Sequence, residues 1–234
     1  MASDESTVLT PLDDPVGGSL RGPHADLGRW RHRAGTFTPQ VATFSTVPAD
    51  ARAEDWADLA RLLGSGEFAD MFSCEATPPP DWEPVFTLEG RQLTWDGTVP
   101  TPDPDDPRVV ELTEADVPEM LDLVDRTRPG PFWPRTRELG TYLGVREGGR
   151  LVAMAGERLR PPGGTEISTV CTTPEARGRG HAARLVNALV ARVLARGELP
   201  FLHVAEANTG ARALYERLGF TTRRHVTFRG FRTP

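Results

Sequence analysis

Val170-Cys-Thr-Thr-Pro-Glu-Ala-Arg177-Gly-Arg-Gly-His-Ala182 decides the fold. Before it, Glu166–Thr172 is rich in β-branched residues and reads as a strand. After it, apolar residues at 182, 186, 189, 193 and at 185, 190, 194 follow the 3.6-residue period of a helix from about Gly180 to Arg196. The junction is therefore a strand-to-helix turn. Gly178 and Gly180 let the backbone bend and approach a ligand without a Cβ clash. The helix start offers unpaired N–H groups and the positive end of the helix dipole. Arg177, Arg179 and Arg184 add charge. Such a turn suits a phosphate or diphosphate.

Two common phosphate motifs fit poorly. A Walker loop needs Gly-Lys-Ser/Thr, and the chain has no lysine. A dinucleotide fingerprint is matched formally by Gly178-x-Gly180-x-x-Ala183, but Thr173–Arg177 separates it from its strand. Only 29 residues follow Ala205, too few to complete that fold. A glycine-rich turn without a ligand is the bland alternative.

Working outward, Arg108–Leu112 reads as a short strand. Thr113 and Asp116 mark a helix start, with Pro118 in its first turn and Met120, Leu121 and Val124 as the buried stripe. Arg128–Pro134 is a loop. Tyr142–Arg146 and Leu151–Leu159 flank Gly148-Gly149 as a hairpin. Phe201–Ala205 is a strand and Thr209–Leu218 a helix ended by Gly219. Val226–Phe228 is a last strand. In the first half, residues 47–63 carry apolar residues at helical spacing, and Phe68–Phe72 and Val85–Trp95 read as strands. This predicts an α/β protein with a small α/β N-terminal domain over 26–97. Residues 98–107, with four prolines and three aspartates, form a linker. Residues 108–234 form the main domain, and residues 1–25 a mobile tail.

Composition supports the division. The 234 residues suffice for one large or two small domains, and the net charge is -6. Residues 1–107 hold 7 Arg against 19 Asp and Glu, whereas residues 108–234 hold 20 Arg against 14. An arginine-rich half suits either an anionic ligand or a solvated basic surface. The all-arginine basic set suggests a GC-rich, bacterial genome. Cys74 and Cys171 are too few for a disulfide framework or a cysteine metal cluster, so no metal is expected. The acidic, polar N-terminus is no secretory signal, no run of about 18 apolar residues occurs, and a cytoplasmic location is expected.

Arg177-x-x-Gly180-x-Ala182, followed by Asn208-x-x-Ala-Arg-x-Leu-Tyr215-x-x-Leu-Gly-Phe220, resembles the acyl-CoA-binding core of the GNAT superfamily of N-acetyltransferases. The order and spacing of strand, loop, helix and tyrosine motif extend the resemblance over about residues 108–230. The first half more vaguely resembles the extra domain of a two-part branch near the glycine N-acyltransferase-like proteins. The resemblance implies a mixed, mostly antiparallel sheet flanked by helices. It implies acetyl-CoA as co-substrate and direct transfer to an amine through a tetrahedral intermediate.

Carried onto this chain, the resemblance has the amides of Arg177, Gly178, Arg179, Gly180, His181 and Ala182 hold the diphosphate. Val170, Cys171 and Thr172 would pair with the pantetheine arm where the strands 166–172 and 201–205 splay. An amide near Val170 would polarise the thioester carbonyl. Tyr215 would protonate the leaving thiolate; periodicity alone makes it a core residue. Asn208 caps the last helix and could also touch CoA. Glu166, taken to share a face with Ser168 and Val170, is the first candidate for general base, with Glu157, His203 and Glu206 as alternatives. Cys171 reads as core, not nucleophile. His181 departs from the small residue frequent at its position and is expected to face solvent. Phe132 and Trp133 could wall the acceptor site. The expected acceptor is a small-molecule amine. A protein lysine or N-terminus, and a non-catalytic acyl-CoA sensor, are the alternatives. Nucleic acid and membrane partners are not expected, and the chain is taken as a monomer or homodimer.

Overall fold

The computed structural model describes residues 10–97 and 106–234. The elements run α1 (Pro15–Arg21), β1 (Gly28–Arg31), β2 (Ala34–Phe37), β3 (Ser45–Thr46), α2 (Ala53–Leu63), β4 (Phe68–Asp70) and β5 (Glu83–Trp95). They continue with β6 (Val110–Glu111), α3 (Val117–Thr127), β7 (Tyr142–Glu147), β8 (Arg150–Glu157), β9 (Gly164–Thr172), α4 (His181–Ala195), β10 (Leu199–Ala205), α5 (Thr209–Arg217) and β11 (Phe220–Arg232). β1, β2 and β3 form a small antiparallel sheet. The other eight strands form one sheet in the order β4-β11-β5-β10-β9-β8-β7-β6. Among the described residues, only its β9–β10 strand pair is parallel. This is the α/β protein the elements predict, with the mixed, mostly antiparallel sheet that the resemblance implies.

Local chemistry explains the elements near the site. Leu185, Val186, Leu189, Val190 and Val193 give α4 one apolar face, buried against β7, β8, β9 and β10. Before α3, the Asp116 carboxylate accepts the Thr113 N–H at 2.7 Å, and Pro118 needs no donor in the first helical turn. Asn208 caps α5 by accepting the Ala211 N–H at 3.2 Å.

Two expectations about the first half are corrected. Residues 10–25 are no tail: Leu12, Val16 and Leu20 are buried with Phe37, Phe44, Leu139, Leu159 and Phe201. Spacing of four places these leucines and Val16 on one face, but Pro15 and Gly17-Gly18 mask the helical signal. Nor does a boundary near residue 107 divide the sheet. β5 lies between β10 and β11 and pairs with both, through Arg91↔Val204 and Arg91↔His225 among others. Pairing on both edges satisfies its backbone donors and acceptors, a long-range demand invisible to charge or proline content. Most of the expected linker, 98–105, lies outside the described residues. The last strand extends over thirteen residues, Phe220–Arg232, rather than the three of Val226–Phe228, because β5 and β4 hold its arginine-rich ends.

Candidate active site

β9 and β10 create the site by parting. Their register runs Leu199↔Gly164, Pro200↔Thr165, Phe201↔Glu166 and stops there. On its other edge β9 bulges: pairing steps from Gly156↔Ser168 to Met154↔Cys171. Thr169, at φ 54°, takes up the extra residue. The bulge overturns the strict alternation expected for this strand. Val170 packs with Ile167 against the α4 core, whereas Cys171 packs with Met120, Leu123 and Tyr142 toward α3. Val170 therefore does not share the face of Glu166 and Ser168. Cys171 is a core residue, its thiol pushed up to about 11 by burial, which suits packing rather than nucleophilic attack.

At the far end of β9 the glycine turn stands open. Gly178 and Gly180 have φ of 76° and 77°, and a Cβ built at either would meet nothing within 4 Å. Among the described residues, the N–H groups of Gly178, Arg179, Gly180, His181, Ala182 and Ala183 find no protein acceptor. The Arg177 amide differs from the expectation, since it donates to Pro174 O at 3.3 Å. The set of open donors is thus shifted by one residue, to 178–183.

The arginines of the turn are not equivalent. Arg179 donates to Glu147 at 2.7 Å, and Arg184 to Asp106 at 2.6 Å. Arg177 has only a 3.4 Å bond to Thr172 O and no carboxylate partner among the described residues. His181 does not face solvent. It is 8% exposed, accepts from Arg184 at Nδ1 (3.1 Å) and donates from Nε2 to Glu147 (3.0 Å). Arg184 can only donate, which places the ring proton on Nε2.

Tyr215 lies on the buried side of α5 against Phe220, ring centroids 6.1 Å apart. Its hydroxyl bonds to no protein group among the described residues. Burial pushes its pKa up to about 12, so it remains an O–H donor through neutral and mildly alkaline pH. Tyr215 is thus packed, as periodicity alone expects, and its hydroxyl is unclaimed.

Glu166 does not stand free as a base. It is fully buried and its two oxygens accept from Arg158 at 2.7 and 2.8 Å. The Arg158 guanidinium sits 4.8 and 4.7 Å from the ring centroids of Phe44 and Phe72. Burial alone would raise the Glu166 pKa. The Arg158 charge and the bonds from Arg158 and His203 outweigh it and hold the carboxyl near 2. A carboxylate so stabilised is a poor proton acceptor. Instead it orients His203, whose Nδ1 lies 2.7 Å from Glu166 Oε1 and whose Nε2 accepts from the Gln92 amide at 3.1 Å. Burial lowers the His203 pKa and keeps the ring neutral.

The other two base candidates are also engaged. Glu157 pairs with Arg196 at 2.9 Å, and Glu206 with Arg91 at 2.6 Å and Arg212 at 2.7 Å. Asn208 is placed as a cap. Phe132 is buried edge-on against Tyr142 at 5.5 Å, whereas Trp133 is 40% exposed. Glu147 and Arg158 escaped sequence reasoning. Arg158 left one sign, since with Glu157 it interrupts the otherwise apolar run Leu151–Leu159; Glu147 left none. Among the described residues no group of three or more His, Cys, Asp or Glu could hold a metal ion.

Comparison with known proteins agrees with this architecture. A family model described as FR47-like protein matches residues 142–229. A crystal structure from Novosphingobium aromaticivorans, assigned to the GNAT family of acetyltransferases, is 40% identical; the alignment covers 97% of this chain and 100% of that one, with TM-score 0.87. A GCN5-related N-acetyltransferase from Kribbella flavida shares the fold at 15% identity and TM-score 0.58, covering 94% and 96% of the two chains. An uncharacterized Mycobacterium leprae protein is 33% identical over 184 residues, 68% of this chain. The chain spans about half the length of that relative, 51%. The fold is that of an acyl-transferring enzyme. The chain belongs to the GNAT family of acetyltransferases. No helix among the described residues is long and apolar enough to cross a membrane.

Proposed function

We propose that the chain transfers an acetyl group from acetyl-CoA to the primary amine of a small molecule. The observation that carries this reading is the row of unclaimed N–H groups at 178–183. They form a donor set at a helix start, suited to a diphosphate. Bound acetyl-CoA supplies the activated acyl group; the rest is the work of the chain's own residues. Arg177, the loop arginine without a carboxylate partner among the described residues, adds an exposed charge at the turn. Past Glu166↔Phe201, β9 has an unpaired edge on the β10 side, which suits pairing with an amide-bearing arm at Val170, Cys171 and Thr172. An N–H at the Thr169–Val170 bulge is the natural donor to a carbonyl oxygen gaining charge.

Tyr215 keeps its proton until a thiolate needs it. Glu166 acts as a positioning residue for Arg158 and His203. The attacking amine gives up its proton to water, because Glu157, Glu166 and Glu206 are each ion-paired. Calorimetry with acetyl-CoA, then thiol release against a panel of free amines and peptides, tests the reading. Micromolar binding and turnover with a free amine are expected. No acetyl-CoA binding refutes it, and turnover with peptides alone assigns a protein acceptor instead.

A further inference from the structure

The open turn poses a mechanical problem. Nothing packs within 4 Å of the Cβ positions of Gly178 or Gly180. Glycine backbone is also the least self-stiffening in the chain. Yet six amides must face one way to grip a diphosphate. The bonds within the segment are local: Arg177 N–H to Pro174 O, Arg177 Nε to Thr172 O, and Arg179 to Glu175 O at 2.9 Å. Among the described residues, the hydrogen-bonded tie from residues 177–181 to a distant part of the chain is Glu147 alone. Its two oxygens take different partners, Oε2 from Arg179 (2.7 Å) and Oε1 from His181 Nε2 (3.0 Å). Those partners flank Gly180, so the carboxylate spans the bend. Glu147 is the last residue of β7, at the base of the Gly148-Gly149 turn, and is paired to Arg150. The anchor is therefore a strand end rather than a loop. Behind it Arg184 bridges His181 and Asp106, bracing the first turn of α4.

We propose that Glu147 is a positioning residue that preorganises the glycine turn for acyl-CoA, resting on the acetyl-CoA reading above. The sign of its effect separates this from charge alone. A carboxylate near a diphosphate repels it, so a field argument has its removal tighten binding. Preorganisation has removal weaken binding, because the ordering cost then falls on the binding step.

The test is Glu147→Gln, which keeps the size and removes the charge at a partly exposed side chain. We expect the acetyl-CoA Kd from calorimetry to rise on the order of 5- to 20-fold. Tm should stay near wild type, and kcat at saturating acetyl-CoA should be unchanged. Glu147→Asp, charged but too short to span both partners, should fall between. Hydrogen exchange in the free protein gives a readout independent of acetyl-CoA. The amides of Ala176, Arg177 and Arg184, bonded at 3.0, 3.3 and 3.0 Å, should exchange several-fold faster in Glu147→Gln. Tighter or unchanged acetyl-CoA binding in that variant overturns the proposal, as does unchanged exchange. Wild-type protein that binds no acetyl-CoA refutes the acetyl-CoA reading instead, and the exchange comparison then still decides whether Glu147 orders the turn.

Discussion

Replacing Glu166 by Gln separates its two possible jobs. In the structure its carboxylate is fully buried and holds Arg158, itself 7% exposed, through two bonds of 2.7 and 2.8 Å. Removing one partner strands the other's charge in a low-dielectric interior, at a cost of roughly 3–5 kcal/mol. For a chain of this length each kcal/mol lowers Tm by about 2–4 °C, so a fall of roughly 6–20 °C is expected. The double variant Arg158→Met/Glu166→Leu removes both charges and should recover most of the loss. The His203 Nδ1–H then lacks its acceptor, leaving a deficit of about 1–3 kcal/mol. Thermal and urea unfolding at pH 7.5 measure all three proteins. Turnover is measured well below each Tm, per mole of folded enzyme. A positioning carboxylate predicts that Glu166→Gln retains much of kcat once folded. A fall of about a hundredfold or more is what loss of a general base produces. A single variant within about 1 kcal/mol of wild type refutes the buried ion pair. So does a double variant no better than the single one. A stable Glu166→Gln protein with abolished turnover restores Glu166 as the base.

Other outcomes follow from the same geometry. Gly180→Asp forces a side chain into a left-handed position (φ 77°) and sets a negative charge among the open amides. The acetyl-CoA Kd should rise at least about tenfold while strain costs only about 1–2 kcal/mol of stability, as calorimetry and melting will show. Tyr215→Phe should lower kcat with little change in acetyl-CoA affinity. Because burial holds this phenol near 12, the wild-type rate should show no falling limb from it below about pH 11; equal kcat in the variant removes Tyr215 from the chemistry. Buried Asp70 has its pKa raised to about 6, with Thr43 bonded at 3.1 Å. Its folded form holds the proton more tightly than the unfolded one, so its contribution is full below about pH 4 and is lost as pH rises through about 6. Asp70→Asn should therefore gain on wild type by up to about 3 kcal/mol between pH 4 and pH 7, and parallel melting profiles would refute this.

The turn between β9 and α4 was legible in the sequence because its chemistry is local. Glycine at 178 and 180, a β-branched strand before and an apolar period after are all read within thirty residues. The same holds for α3, the β7–β8 hairpin and the Asn208 cap, where periodicity, turn residues and capping act over a few positions. What the linear order concealed is long-range. Arg158, just past the end of β8, and Glu166, on β9, sit eight residues apart, and only the pairing of β8 with β9 buries them together. Glu147 reaches Arg179 and His181 across more than thirty residues. β5 joins β10 across more than a hundred, which is why a change in charge looked like a domain boundary. The bulge at Thr169 moved Val170 to the other face, because an added residue breaks a period of two. The sequence by itself determined most elements of the second half and the glycine turn between β9 and α4, since backbone preference and side-chain period are set by neighbours. Only the tertiary structure decided which carboxylates remain free to act, since burial and pairing depend on residues far apart in the chain.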